Sequence, residues 1–314
     1  MSGWEKRRVP LPFRVGDVSL AEVALNAAVM TRHFTELSPE VGEIFPREVL
    51  RELGADVAVI HSCPIASPPP RLSRKAGGVR YVPAQFPRYH AEATGSFEEY
   101  LGAAFSSKSR ATLRRKVKKL TGRGGGGVDL REYRTPDEVG LWHRLARKVS
   151  EKTYQERLLK RGLPDDPDYV GSVREMASRD RFRGYLLFYS GEPIAFLACP
   201  ITGGGAMIYD HVGHDPDHEK LSPGTVLLYS VLERAFADES IRMFDFTEGE
   251  GEHKQRFATH ETACADIFFF APSARNVITV AVHAGIERAT RLSAAALERA
   301  GAKERIKRFL RTLR

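Results

Sequence analysis

Residues 221–254 read LSPGTVLLYSVLERAFADESIRMFDFTEGEGEHK, and the order of elements in this stretch decides the fold. Ser222, Pro223 and Gly224 suit a helix start, because proline in the first turn forfeits no hydrogen bond and glycine permits a close approach. Val226, Leu227, Val231, Leu232, Ala235 and Phe236 then recur at helical spacing. A strand-like run over 241–246 follows at once and ends in a Gly-broken acidic loop. The segment therefore reads as helix, buried strand, and a loop carrying Asp245, Glu248, Glu250, Glu252 and His253. A helix N-terminus exposes unpaired N–H groups and the positive end of a dipole, which suits a phosphate. Charged loops at the carboxyl ends of strands are where α/β proteins carry their chemistry.

Upstream, strand and helix signals alternate. Residues 128–133 predict a strand and Thr135-Pro136-Asp137-Glu138 a capped helix start reaching about residue 155. Residues 185–189 and 194–199, joined by Ser190-Gly191-Glu192-Pro193, predict a hairpin. Residues 206–212 read as one further strand and 263–270 as a last buried one. Ser96 predicts an N-cap with Glu98 and Glu99 behind it. Residues 107–120 predict a helix with Leu113, Val117 and Leu120 on one face, and Gly122 to Gly127 a flexible loop. The first 95 residues read weakly: helical character over 18–50, a strand over 57–61, and a Pro- and Gly-rich linker over 64–80.

A chain of 314 residues is long for one domain, and its 28% charged residues are ordinary for a globular protein. No apolar run suits a membrane span, and the start lacks an apolar secretory core. Three scattered cysteines argue against a disulfide framework or a paired-cysteine metal site, so a cytoplasmic location is expected. The net charge of +8 is unevenly placed: residues 108–123 carry +8 and residues 275–314 carry +7, leaving −7 on the rest. Two local patches on an acidic body do not describe a nucleic-acid coat, and no aromatic residues interleave with the basic helix for base stacking. The basic C-terminal segment predicts either a helical extension packed on the body or a helix lying on the inner face of an anionic membrane, with Ile306, Phe309, Leu310 and Leu313 inward.

Three blocks resemble a known family: residues 96–120; Ser222-Pro223-Gly224 with Leu227-Leu228; and Asp245-Phe246 followed by Gly249 and His253-Lys254, with His253 in the family's Tyr position. They are similar to the CelD-like tandem GNAT acyltransferases, relatives of the FemAB peptidyltransferases. The resemblance spans roughly residues 95–270. It implies an α/β (α+β) fold, a mixed sheet flanked by helices, as a degenerate tandem GNAT with a C-terminal helical extension. The domains would be 1–95 as a reduced first half, 96–272 as the acyltransferase domain, and 273–314 as a basic amphipathic extension.

The activity so implied is transfer of an acyl group from acyl-CoA to a primary amine by direct attack on the thioester. The chemistry requires a base for the amine, a donor for the carbonyl oxygen and a proton for the thiolate. Glu248 or His211 is the expected base, with Asp245 organising the loop. Ser222, Pro223, Gly224, Thr225, Val226 and Lys254 would bind the cofactor, the amides of Gly224 to Val226 facing the pyrophosphate. Asp210, Glu250, His253 and Tyr154 would contact the acceptor, an amino sugar, an amino acid or a lipid amine such as a sphingoid base. His211, His214, Asp215 and His218 have ligand chemistry, but Gly213 and Pro216 break the helix that would align them, so no metal is expected. Two alternatives remain: an aminoacyl-tRNA-dependent transferase of the FemAB kind, and a non-catalytic basic module binding membrane or nucleic acid.

Overall fold

The structure, a computed structural model, describes residues 3–15, 18–121, 128–153, 162–249 and 251–299. Tyr154, Glu250, the 122–127 loop and the 306–313 face lie outside the described residues. The chain forms two compact units, residues 87–262 and residues 1–86 with 263–314.

The discontinuous unit is built on β1 (Trp4–Val15), β2 (Val18–Met30), β3 (Val57–Pro64), β4 (Leu72–Lys75), the start of β5 (Gly78–Glu92) and most of β12 (His260–Phe270). β1 and β2 are antiparallel, β2 and β3 parallel, and β3 and β12 antiparallel, so the sheet is mixed. Successive side chains point to opposite faces of a strand, and here both faces are buried. Val57, Val59, Phe268 and Phe270 join one apolar cluster, while Ala58, Ile60, Ile267 and Phe269 join another. Helix α1 (Arg47–Leu53) contributes Leu50 to the second. The helical reading of residues 18–50 is corrected here: residues 18–30 are a strand. Leu25, Ala27 and Val29 alternate inward, and pairing with β1 and β3 overrides the helix propensity of an alanine- and leucine-containing run.

The continuous unit opens with α2 (Phe97–Ala104) and α3 (Ser107–Leu120). Ser96 closes a capping box: its hydroxyl accepts from Glu99 N, and the Glu99 carboxylate accepts from Ser96 N. Thr135 does the same with Glu138 at the start of α4 (Pro136–Ser150). Strands β6 (Leu130–Tyr133), β7 (Phe182–Tyr189), β8 (Glu192–Pro200) and β10 (Val212–His214) form an antiparallel sheet in the order β10-β8-β7-β6. Ser190 and Gly191 both adopt positive φ, the geometry of a tight two-residue hairpin turn. Helix α4 and α5 (Pro167–Ser178) cover one face, where Trp142 lies so close over Gly184 that a Cβ there would come within 2.6 Å of the ring. Helix α6 (Pro223–Ala237), with α2 and α3, covers the other through Val226, Leu227 and Val231. Strand β9 (Ala206–Ile208) pairs in parallel with β11 (Met243–Glu248), and α7 (Glu252–Phe257) follows. The whole is a mixed α/β fold with sheets flanked by helices, and α8 (Ala274–Arg299) supplies a C-terminal helix.

Candidate functional site

The expected single strand over 206–212 is two strands, and the break defines the site. β9 runs beside β11 until Tyr209 N donates to Asp245 O at 2.8 Å. The chain then changes sheets: Asp210 N donates to Ala198 O, and His211 O accepts from Ala198 N at 2.8 Å, before β10 pairs with β8. Beyond Asp245, β11 keeps β5 on one side, with Glu248 opposite Arg88, but among the described residues no strand pairs its other side. Two neighbouring strands thus diverge, leaving a wedge bordered by backbone groups that a ligand is able to pair.

Tyr209 is buried between the diverging strands, its ring within 5.9–6.2 Å of those of Phe244, Phe246 and His253. On the β10 side, His211 Nε2 stands 3.7 Å from Asp210 Oδ2. Solvent reaches 40% of the Asp210 side chain, yet desolvation raises its pKa while His211 pulls it down. The ring of Tyr169, from α5, packs edge-on to His211 at 5.5 Å. Its hydroxyl is buried with no hydrogen-bond partner among the described residues, and burial moves its pKa far upward.

On the β11 side, Asp245 is fully buried. Arg88 Nε donates to its Oδ2 at 3.0 Å, and its Oδ1 accepts from Thr247 N at 2.8 Å. Thr247 has φ 64°, an outlying value for a β-branched residue, and Gly249 follows with φ 105°. Lys254 Nζ donates to Thr247 Oγ1 at 3.0 Å and to Glu248 O, which fastens α7 to the loop. Burial lowers the pKa of Lys254 against the pull of Glu248 and Asp245, and burial with Lys254 nearby lowers that of His253. The Glu248 side chain is exposed.

The start of α6 abuts the end of β10, for a Cβ on Gly224 would lie 3.6 Å from His214 Nδ1. Ser222 sits in the left-handed region (φ 56°, ψ 49°) between a 3₁₀ turn (Pro216–Leu221) and the helix, and its side chain makes no capping bond. Its carbonyl accepts from Thr225 N at 3.0 Å and Val226 N at 3.1 Å, so two of the three amides expected to face a phosphate are engaged in the helix. Among the described residues none accepts from Gly224 N. Lys119, at the end of basic α3, donates to Lys220 O at 2.9 Å, two residues ahead of Ser222. Among the described residues no cluster of three His, Cys, Asp or Glu side chains suits a metal ion. Lys152 takes Asp215 at 2.7 Å, with His218 3.7 Å away.

The acetyltransferase (GNAT) domain family matches residues 107–255, a span that holds α3, the divergent strands and the start of α6. This chain carries a GNAT domain. Comparison with curated protein sequences gave no significant match. Among the solved structures that share the fold, two cover most of both chains. One is the C-terminal DUF2156 domain of a protein described as a lysylphosphatidylglycerol synthetase from Agrobacterium fabrum, at 14% identity over 84% of this chain and 85% of that one, TM-score 0.50. The other is L-PGS from Bacillus licheniformis, at 13% identity over 88% and 89%, TM-score 0.50. A GNAT domain is a transferase domain that acts on an acyl donor and an amine acceptor.

Within this GNAT domain the strand divergence gathers Tyr209, Asp210 and His211 at one wall and Asp245, Glu248, His253 and Lys254 at the other. Arg88 and Tyr169 escaped the sequence reading. Arg88 lies 157 residues from the carboxylate it holds, and Tyr169 reads as an ordinary apolar position of α5. Only the pairing of β5 with β11 and the packing of α5 bring them in.

Proposed function

We propose that the protein is an N-acyltransferase that moves an acyl group from acyl-CoA to a primary amine in the wedge between β10 and β11. The observation that carries this reading is the strand divergence itself, with a helix start at its head and an imidazole–carboxyl pair on its wall. The thioester arm would lie along the unpaired edges, its amides bonding to backbone groups. The pyrophosphate would meet Gly224 N–H and the positive end of α6, with Lys119 and Lys220 beside it.

The amine nitrogen attacks the thioester carbon and forms a tetrahedral oxyanion. His211 takes the proton released by the nitrogen, with Asp210 stabilising the imidazolium that results. The C–S bond then breaks, and the His211 imidazolium returns its proton to the leaving thiolate, which gives amide and free thiol. Asp245 acts as a positioning residue: closed off from solvent, it holds the β11 loop so that His253 and Lys254 face the wedge. Glu248, exposed at the loop, is the second candidate base.

The test is calorimetric binding of CoA together with release of free thiol when acyl-CoA and an amine panel are supplied. Micromolar CoA binding with amine-dependent thiol release is expected. Transfer from aminoacyl-tRNA without CoA binding would replace the donor assignment, and failure of both would remove the enzymatic reading.

A further inference from the structure

Helix α8 turns an apolar face to solvent. Its inner side is accounted for within its own unit: Val280 and His283 are buried, Ala284 and Ile286 pack on the sheet core, Asn276 Nδ2 donates to Ala271 O at 2.8 Å, and the His283 ring meets the Tyr81 hydroxyl at 2.7 Å. The outer side is different. Val277, Ile278, Val282 and Leu292 are 54%, 63%, 49% and 62% exposed, and Ala281, Gly285 and Ala289 between them are exposed as well. At roughly 100° per residue these positions fall within one arc of about 140°. The solvent side of a helix is ordinarily polar, and a contiguous exposed apolar strip marks a docking surface.

The charges around the strip indicate what docks. Exposed Arg275 lies beside one edge and exposed Arg291 beyond the other, while exposed Arg288 falls just inside the arc, between Val277 and Ala281. Glu287, the single acid in residues 274–293, is on the far side and stands 3.6 Å from Arg291. The sequence after the described helix, residues 300–314, adds six basic residues and one acid.

We propose that this face docks on an anionic lipid bilayer, with Val277, Ile278, Val282 and Leu292 entering the acyl boundary and the arginines meeting lipid phosphates. A second copy of the chain suits the face less well, because two-fold pairing would set Arg275, Arg288 and Arg291 against like charge. The proposal does not depend on the chemistry assigned to the GNAT domain.

The experiment is flotation of the full-length protein with vesicles of phosphatidylcholine alone and of phosphatidylcholine with phosphatidylglycerol. Association with the anionic vesicles is expected, about ten-fold weaker on neutral vesicles or at high salt. Ile278→Ser with Val282→Ser lowers partitioning by about ten-fold more, with unchanged thermal unfolding because both side chains face solvent. Arg275→Gln with Arg288→Gln lowers only the part that depends on phosphatidylglycerol. Equal flotation of wild type and both variants would overturn the proposal. So would a dimer, detected by light scattering, that the serine substitutions dissociate.

Discussion

Asp210 follows the end of β9 and Asp245 lies within β11, its parallel neighbour, and the fold treats them in opposite ways. Asp245 has no solvent access; a guanidinium and a peptide N–H occupy its oxygens. Asp210 keeps 40% of its side chain in solvent, has an imidazole for a neighbour, and carries a raised pKa. A carboxylate supplied with a fixed cation inside the core is a fastening, because its buried charge is compensated and its lone pairs are committed. A desolvated carboxyl with no fixed cation among the described residues is held partway toward the neutral form, the condition under which proton traffic becomes useful. The same residue type is scaffold in one place and candidate chemistry in the other.

Breaking the fastening is the largest expected effect. Arg88→Met strips a buried carboxylate of its guanidinium and should cost about 3–5 kcal/mol of stability, read by urea unfolding. A cost below about 1 kcal/mol would dissolve the contrast. Asp210→Asn should do the reverse at neutral pH. The folded state raises the pKa of Asp210 above its unfolded value near 3.9, so the fold favours its protonated form. Its contribution is fully present below the unfolded pKa and is lost as pH rises through the folded one. The Asn variant should therefore gain on wild type above that window and match it in acid. A constant difference at all pH values would contradict the desolvation of that carboxyl.

Activity separates the two walls again. His211→Ala should lower kcat/KM by about 10²–10⁴-fold with the unfolding midpoint intact, the usual loss for a positioned base. Glu248→Ala at full activity would leave His211 as base, whereas the opposite pattern would move that role across the wedge. Tyr169→Phe is subtler. It removes a buried hydroxyl that has no partner among the described residues, so stability should hold or rise by about 1 kcal/mol. A concurrent rise in KM for the amine would show that substrate supplies the missing partner. Unchanged kinetics would make the hydroxyl a packing residue.

The legible parts of this molecule were those encoded over a few residues. Both capping boxes, the 190–191 turn and α3 over residues 107–120 follow from neighbours three or four positions apart. What escaped depends on distant partners. Residues 18–30 pair with two other strands and so become a strand against their local propensity. The break after Ile208 exists because Asp210 and His211 bond to Ala198 while Tyr209 still bonds to Asp245. No local pattern encodes that change of sheets. The order of residue types at the site was therefore readable, while the division of labour between Asp210 and Asp245 was not.

The smallest predicted effect lies at the head of the wedge. Ser222 holds a left-handed conformation that costs a non-glycine residue on the order of 1 kcal/mol, and its hydroxyl makes no cap bond in return. Ser222→Gly relieves that strain at the expense of a more flexible unfolded chain, so stability should change by about 0.5 kcal/mol or less in either direction. If the hydroxyl serves only to turn the chain into α6, CoA affinity should be unchanged as well. If it reaches the pyrophosphate, calorimetry should show CoA binding weakened several-fold, as loss of one hydrogen bond to a charged group entails. Strain retained beside the wedge without a structural return would then have its reason in the ligand, in contrast to Thr247 at the opposite wall, where the strained residue lends its hydroxyl to Lys254.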